Sequence, residues 1–235
     1  YDLPLVTKET VKGTQLEKKH ITELLDYPEL HGLFRHSSLH DIPAVSIQMG
    51  LDPETTRGLQ YLADPPYLWG KEDKTNKMFE VMTDDMKNNF VQLGDVTPNS
   101  TIISAEGVAT AGALYIAAKR KELDVVVVAS MFAFNIKYAL EHYKNTYPNN
   151  PLINAADNDC WHKVANENGN HDLRAIKDNA GVRVGLELND EFGVKSFGPN
   201  WAEDDSIYAA ASKVKATDFN DFFEIYDYEE ALSHI

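Results

Sequence analysis

Three short apolar runs, spaced to leave room for one helix between each, constrain this chain more than any other feature. Thr101-Ile102-Ile103-Ser104-Ala105 suits a buried strand and ends on Glu106-Gly107, after which residues 108–121 read as a helix. Val125-Val126-Val127-Val128-Ala129 is the second run, and Leu152-Ile153-Asn154-Ala155-Ala156, the third, closes on Asp157-Asn158-Asp159. The spacing predicts strands joined by crossover helices, and therefore an α/β fold with a parallel sheet flanked by helices. Sites in open parallel sheets form at the carboxyl ends of the strands, so Glu106 and the Asp157/Asp159 pair are expected to meet in space.

The rest of the chain is read relative to that stretch. Ala109, Ala111, Gly112, Ala113, Ala117 and Ala118 give the first helix a small-residue surface that lies close on a sheet. Asn135 begins the next helix, either as its N-cap or as a contact in the same crevice as Glu106. Residues 161–178 are polar and read as an exposed loop. Asn179-Ala180-Gly181 opens a helix through Glu191, Gly193 ends it, and Val194-Lys195-Ser196-Phe197 makes a fourth strand. Asp218-Phe219-Asn220-Asp221 leads into a last helix anchored by Phe222, Phe223, Tyr226 and Tyr228.

Upstream, Ala44-Val45-Ser46-Ile47-Gln48-Met49 and Gly58-Leu59-Gln60-Tyr61-Leu62 read as a hairpin around a polar turn over residues 51–57. Ala63-Asp64-Pro65-Pro66 is expected to end the second strand, and residues 71–89 mix lysines and acids as a solvated loop or helix face does. Lys74, Lys77 and Lys87 are also placed to touch a phosphate backbone. A short amphipathic helix is expected over residues 21–25. The histidines within residues 31–40 lack the partners and spacing of a zinc site. The natural junction divides a small mixed α/β N-terminal subdomain, residues 1–98, from a second domain, residues 99–235.

With 235 residues the chain is long enough for a real core, and 43% hydrophobic with 25% charged content reads as a globular protein. One cysteine, Cys160, excludes an internal disulfide framework and suits a cytoplasmic, intracellular protein. No run is long enough to span a membrane as a helix and no signal-peptide pattern is present. The first residue, Tyr1, predicts a piece cut from a longer chain. A formal charge of −15 argues against a surface that grips nucleic acid throughout, unless divalent cations or further domains supply positive charge.

A Glu with an Asp-x-Asp is a hard-oxygen set suited to Mg2+ or Mn2+ rather than zinc. A cation there neutralises phosphate charge and orients an attacking hydroxyl, whose proton a nearby Glu can take. Gly107 would let a phosphate approach the backbone and the helix N-terminus.

The sequence Ile103-Ser104-Ala105-Glu106-Gly107-Val108-Ala109-Thr110-Ala111, with Asn135, Tyr147-Pro148, Ala155-Ala156-Asp157-Asn158-Asp159, Asn179-Ala180-Gly181 and Asp218-Phe219-Asn220-Asp221, resembles the TOPRIM domain of plasmid and phage DNA primases and primase-helicases. Gly58-Leu59-Gln60-Tyr61 and Phe90-Val91-Gln92-Leu93-Gly94 resemble the region that precedes that domain, so the likeness spans roughly residues 45–225. It implies a TOPRIM-like parallel four-stranded sheet and template-directed RNA primer synthesis from nucleoside triphosphates on single-stranded DNA. Glu106, Asp157 and Asp159 would be the catalytic and metal-binding carboxylates. Gly107 and Asn135, from their places after strand ends, Lys77, from its run of mixed charge, and Asp218, from the resemblance, are assigned to substrate binding. The implied setting is bacterial, plasmid or phage, with helicase or DNA-binding domains in the longer chain. Two departures stand out: Thr110 occupies a position where bacterial replicative primases often carry Asp, and residues 160–178 form a long insert. A metal-dependent nuclease, a non-catalytic DNA- or partner-docking module and an unrelated doubly wound protein with a chance Asp-Asn-Asp are the competing readings, the acidic charge favouring the docking module.

Overall fold

A computed structural model describes residues 3–50, 58–67, 75–81, 87, 89–174, 179–201 and 205–226. The chain starts with a single helical turn, α1 (Gln15–Lys18), followed by 3-10 turns at Thr22–Asp26 and Pro28–Leu30. Ile21, Leu24 and Leu30 are buried, so the amphipathic character expected over residues 21–25 is present, though in a tighter helix. Pro28 forces Tyr27 into extended backbone, φ −89° and ψ 115°, which stops an α-helix from continuing.

Four strands then form a wholly antiparallel sheet in the order β1 (Phe34–Leu39), β2 (Ile42–Met49), β3 (Gly58–Tyr67) and β4 (Thr75–Val81). His40 and Asp41 turn β1 into β2, both left-handed with φ 50° and 62°, the backbone that a two-residue hairpin requires. The β2–β3 hairpin is present, with Met49 opposite Gly58, and its connecting turn lies outside the described residues. Two expectations are corrected. β3 runs on through Asp64-Pro65-Pro66, with a register shift between Leu62 and Tyr67, because irregular pairing accommodates residues that lack a donor. Part of the supposed charged loop is β4, whose Lys77 sits opposite Leu62.

The second sheet holds β5 (Val91–Leu93), β6 (Thr101–Ala105), β7 (Val125–Ala129), β8 (Leu152–Ala155) and β11 (Lys195–Phe197) in the order β11-β8-β6-β7-β5. The four strands expected to be parallel are so; β5, from the N-terminal side of the expected junction, adds a fifth, antiparallel edge strand. The architecture is thus mixed α/β, with a four-stranded antiparallel sheet beside a mostly parallel five-stranded one, rather than one parallel sheet alone. α2 (Val108–Arg120) links β6 to β7, and α3 (Ile136–Thr146) links β7 to β8. Val127 and Ala129 share a core with α2, while Val126 and Val128 share one with Ala139 and Tyr143 of α3. Burial on both faces is why these strands read as unbroken apolar runs.

α2 is enclosed on nearly every side, and a Cβ at Gly112 would come 2.8 Å from Leu24 Cδ1, so its small residues let the N-terminal segment close over it. Phe79 of β4 contacts Phe132 just beyond β7, ring centroids 4.4 Å apart, joining the two sheets. The polar insert is not a plain loop. It contains the antiparallel pair β9 (Trp161–Ala165) and β10 (His171–Leu173), tied down by the buried Trp161 while Val164 stays exposed. α4 (Ala180–Phe192) runs between Asn179, whose side chain caps Val182 N, and a left-handed Gly193, as the sequence suggests. α5 (Asp205–Val214) and α6 (Phe219–Ile225) complete the fold; Phe219, Phe222, Phe223 and Tyr226 enter the core shared with α2, and Tyr228 lies outside the described residues.

Candidate active site

Ala105 of β6 pairs with Ala155 of β8, so the chain leaves both strands at one level, with Glu106 next on one side and Asp157 two residues on from the other. β7 and β8 flank β6 on opposite sides, which makes the β6/β8 boundary a topological switch point, where a crevice opens at the carboxyl ends of an open sheet.

Asn158, the middle residue of Asp157-Asn158-Asp159, holds that loop in place. Its N–H donates to Thr217 O at 2.6 Å, its Nδ2 donates to Pro199 O at 2.8 Å, and its Oδ1 accepts from Asn179 Nδ2 at 2.7 Å. The first turn of α4 lies against the same loop so closely that a Cβ at Gly181 would fall 1.9 Å from Asp157 O. Asp218 arrives from the far end of the sequence. One carboxylate oxygen caps α6 by accepting from Asp221 N at 2.9 Å, and the other accepts from Thr110 Oγ1 at 2.9 Å. Lys77 reaches over from β4, its Nζ 3.8 Å from where a Gly107 Cβ would be.

These groups act on one another electrostatically. Asp157 is pushed up to about 8, first by burial and then by the charges of Asp218, Glu106 and Asp159, with Lys77 opposing. Burial also raises Glu106, opposed by Lys77 and reinforced by Asp159 and Asp218. Asp159 is raised by burial and by Asp218, while the Arg174 guanidinium pulls it down. Glu106, Asp157, Asp159, Asp218 and Lys77 therefore share one neighbourhood.

Asn135 does not join them through its side chain. It is fully buried, donates to Asn89 O at 3.1 Å and Ser130 O at 2.9 Å, and makes no side-chain cap to α3. Its amide braces the turn after β7. Three contributors were absent from the sequence reading in these roles: Thr110 as the partner of Asp218, Arg174 beside Asp159, and Asn158 as the anchor between the aspartates. Thr110, a polar residue among the small residues that open α2, is the local signal for the first of these.

An all-oxygen set of one Glu and three Asp suits a hard divalent cation. Asp157 Oδ1 is buried and has no hydrogen-bond partner among the described residues, an acceptor that a cation would satisfy. Among the described residues no three such groups close tightly enough to enclose an ion as they stand; they are neighbours whose mutual repulsion a cation would relieve. No helix among the described residues is long and apolar enough to cross a membrane. No family model, curated protein or solved structure matches the chain.

Proposed function

We propose that the chain is the TOPRIM-like catalytic core of a DNA primase, which uses Mg2+ or Mn2+ to join nucleoside triphosphates into RNA primers on single-stranded DNA. The observation that supports this reading best is the gathering of Glu106, Asp157, Asp159 and Asp218 where neighbouring parallel strands end. Asp157, Asp159 and Asp218 would hold the cation. When bound, it supplies the positive charge that a phosphoryl transfer between anions demands.

Glu106, whose carboxyl is raised by burial, would take the proton from the attacking hydroxyl as pyrophosphate leaves. Lys77 offsets the excess negative charge at the mouth of the site and would meet the incoming phosphates. Asn158, Gly181 and Thr110 keep the aspartates in position without touching substrate. Further domains of a longer chain would supply the basic surface for template that an overall charge of −15 does not.

The test is incorporation of labelled nucleotide in the presence of Mn2+, with and without single-stranded template, for the native chain and the Asp157→Asn/Asp159→Asn double variant. Template-dependent incorporation lost in the variant supports the primase reading. Metal-dependent DNA cleavage without nucleotides, lost in the same variant, would instead assign a TOPRIM-type nuclease that uses water as nucleophile. Neither activity, with DNA binding equal in both proteins, would assign a docking module.

A further inference from the structure

Next to the carboxylates lies a separate cavity of about 140 Å3, lined by Asp159, Trp161, Arg174, Ala180, Lys215 and Thr217. Three distant parts of the chain build it: the end of the β9–β10 insert, the first residue of α4, and the connection between α5 and α6. Each is fixed. Trp161 is buried and donates from Nε1 to Ala216 O at 2.6 Å. Arg174 N donates to Cys160 O at 2.5 Å, and Thr217 N donates to Asp221 Oδ2 at 2.7 Å. Lys215 holds a left-handed backbone, φ 57°, at the turn after α5.

Two cationic side chains thus border one small space, against a single carboxylate. Among the described residues neither Arg174 nor Lys215 forms a salt bridge. Their neighbour in the wall, Ala180, is the first residue of the 13-residue α4, where backbone N–H groups carry partial positive charge. The wall chemistry is that of an anion site, and a guanidinium, an ammonium and a helix N-terminus together match a phosphate. At roughly 30 Å3 per water, the space holds a few waters or one phosphate.

We infer that this cavity binds a phosphate group of the nucleotide substrate, held by Arg174 and Lys215 beside Asp159. The nucleotide identity rests on the nucleotidyltransferase reading; the anion site rests on the cavity, its two cations and the α4 N-terminus beside them. Two cations suit a doubly charged terminal phosphate better than the single charge of a phosphodiester. Asp159 belongs to both the cavity and the carboxylate set, so a phosphate seated here lies at the border of the cation site. Trp161 and Arg174, from the two ends of the β9–β10 pair, are the insert's contribution to this subsite.

Calorimetric titration with tripolyphosphate in EDTA at low salt tests the site, comparing the native chain with Arg174→Gln and Lys215→Asn. Asparagine tolerates the left-handed backbone at position 215, so that variant loses charge without strain. Native binding weakened about 10-fold or more in each variant is expected, since charge-assisted hydrogen bonds contribute on this scale. Lys163→Gln, on the exposed face of β9, should bind as the native chain does, and Asp159→Asn should bind more tightly. No saturable binding at millimolar tripolyphosphate, or native-like binding by both Arg174→Gln and Lys215→Asn, overturns the proposal.

Competition identifies the source of the phosphate. Displacement of tripolyphosphate by ATP is expected; displacement by an oligonucleotide without terminal phosphate, but not by ATP, would assign the cavity to a strand backbone and overturn the nucleotide assignment. Binding lost in Arg174→Gln, with no nucleotide incorporation by the native chain, would keep the anion site and remove the primase reading. Native incorporation with unchanged KM in both variants would remove the site and keep that reading.

Discussion

Thr110 Oγ1 donates a hydrogen bond to Asp218 Oδ2 at 2.9 Å, across a separation of 108 positions. The threonine lies on the buried face of α2, three residues beyond Gly107, and the aspartate caps α6. The C-terminal part of the chain thus brings a further carboxylate into the neighbourhood of Glu106, with the threonine as its tether.

Thr110→Val removes that tether while preserving shape. The variant should stay folded, with a loss of about 1–2 kcal/mol from a hydrogen bond to a charged group. Mn2+ affinity, read by calorimetry, should fall about 10-fold, as when a group that orients a metal ligand is removed. Unchanged Mn2+ affinity would mean that Asp218 takes no part in cation binding.

The pH dependence of stability follows from Asp157. Its carboxyl titrates at about 8 in the folded chain, against about 3.9 when unfolded. Between those values the folded state holds a proton that the unfolded state has released, so stability falls as pH rises from about 4 to 8. Thermal melts in EDTA should therefore show Tm declining across that range. Asp157→Asn should be more stable than the native chain by at least about 1 kcal/mol at pH 8, with the gap narrowing towards pH 5. Parallel pH profiles for the two proteins would show that burial does not disfavour this charge.

Two glycines separate stability from site geometry. At Gly181 an added Cβ would stand 1.9 Å from Asp157 O, so Gly181→Ala must displace the loop that carries the aspartates. At Gly193 nothing lies within 4 Å, and Gly193→Ala meets only the left-handed backbone, φ 67°. Both should lower stability, by about 1–3 kcal/mol for the first and about 1 kcal/mol for the second. Only Gly181→Ala should lose Mn2+ binding, measured below the Tm of each variant.

The parts of this fold that were legible in the sequence are those whose burial is recorded locally. β6 and β7 are covered on both faces by α2 and α3, so each is a continuous apolar run, and Asn179 and Gly193 mark the ends of α4 with cap chemistry. β1 escaped notice because Arg35, His36, Ser37 and Ser38 fill an edge strand that is only partly buried. β9 and β10 looked like a loop because, past the buried Trp161, β9 is exposed. For the site, the pattern reached Glu106, Asp157 and Asp159, which sit next to strand ends, and named Lys77 from a run of mixed charge and Asp218 through resemblance. It did not reach Thr110–Asp218 or Asp159–Arg174 as pairs, because no local window contains both partners. Asn135 stands at the N-cap position of α3, but its amide satisfies buried carbonyls rather than capping the helix.

Glu106→Gln separates a catalytic role from a merely structural one. The substitution keeps size and removes a charge that burial already disfavours, so the fold should persist and Tm should hold or rise. If Glu106 takes the proton from the attacking hydroxyl, metal-dependent turnover should fall about 10²- to 10⁴-fold. Affinity for single-stranded DNA should change little, since the carboxylate repels phosphate rather than binding it. A glutamine variant with native turnover would leave Asp157, Asp159 and Asp218 as the working set and move the base elsewhere. A variant whose DNA affinity rises sharply with no turnover in either protein would turn Glu106 into a repulsive group on a docking surface.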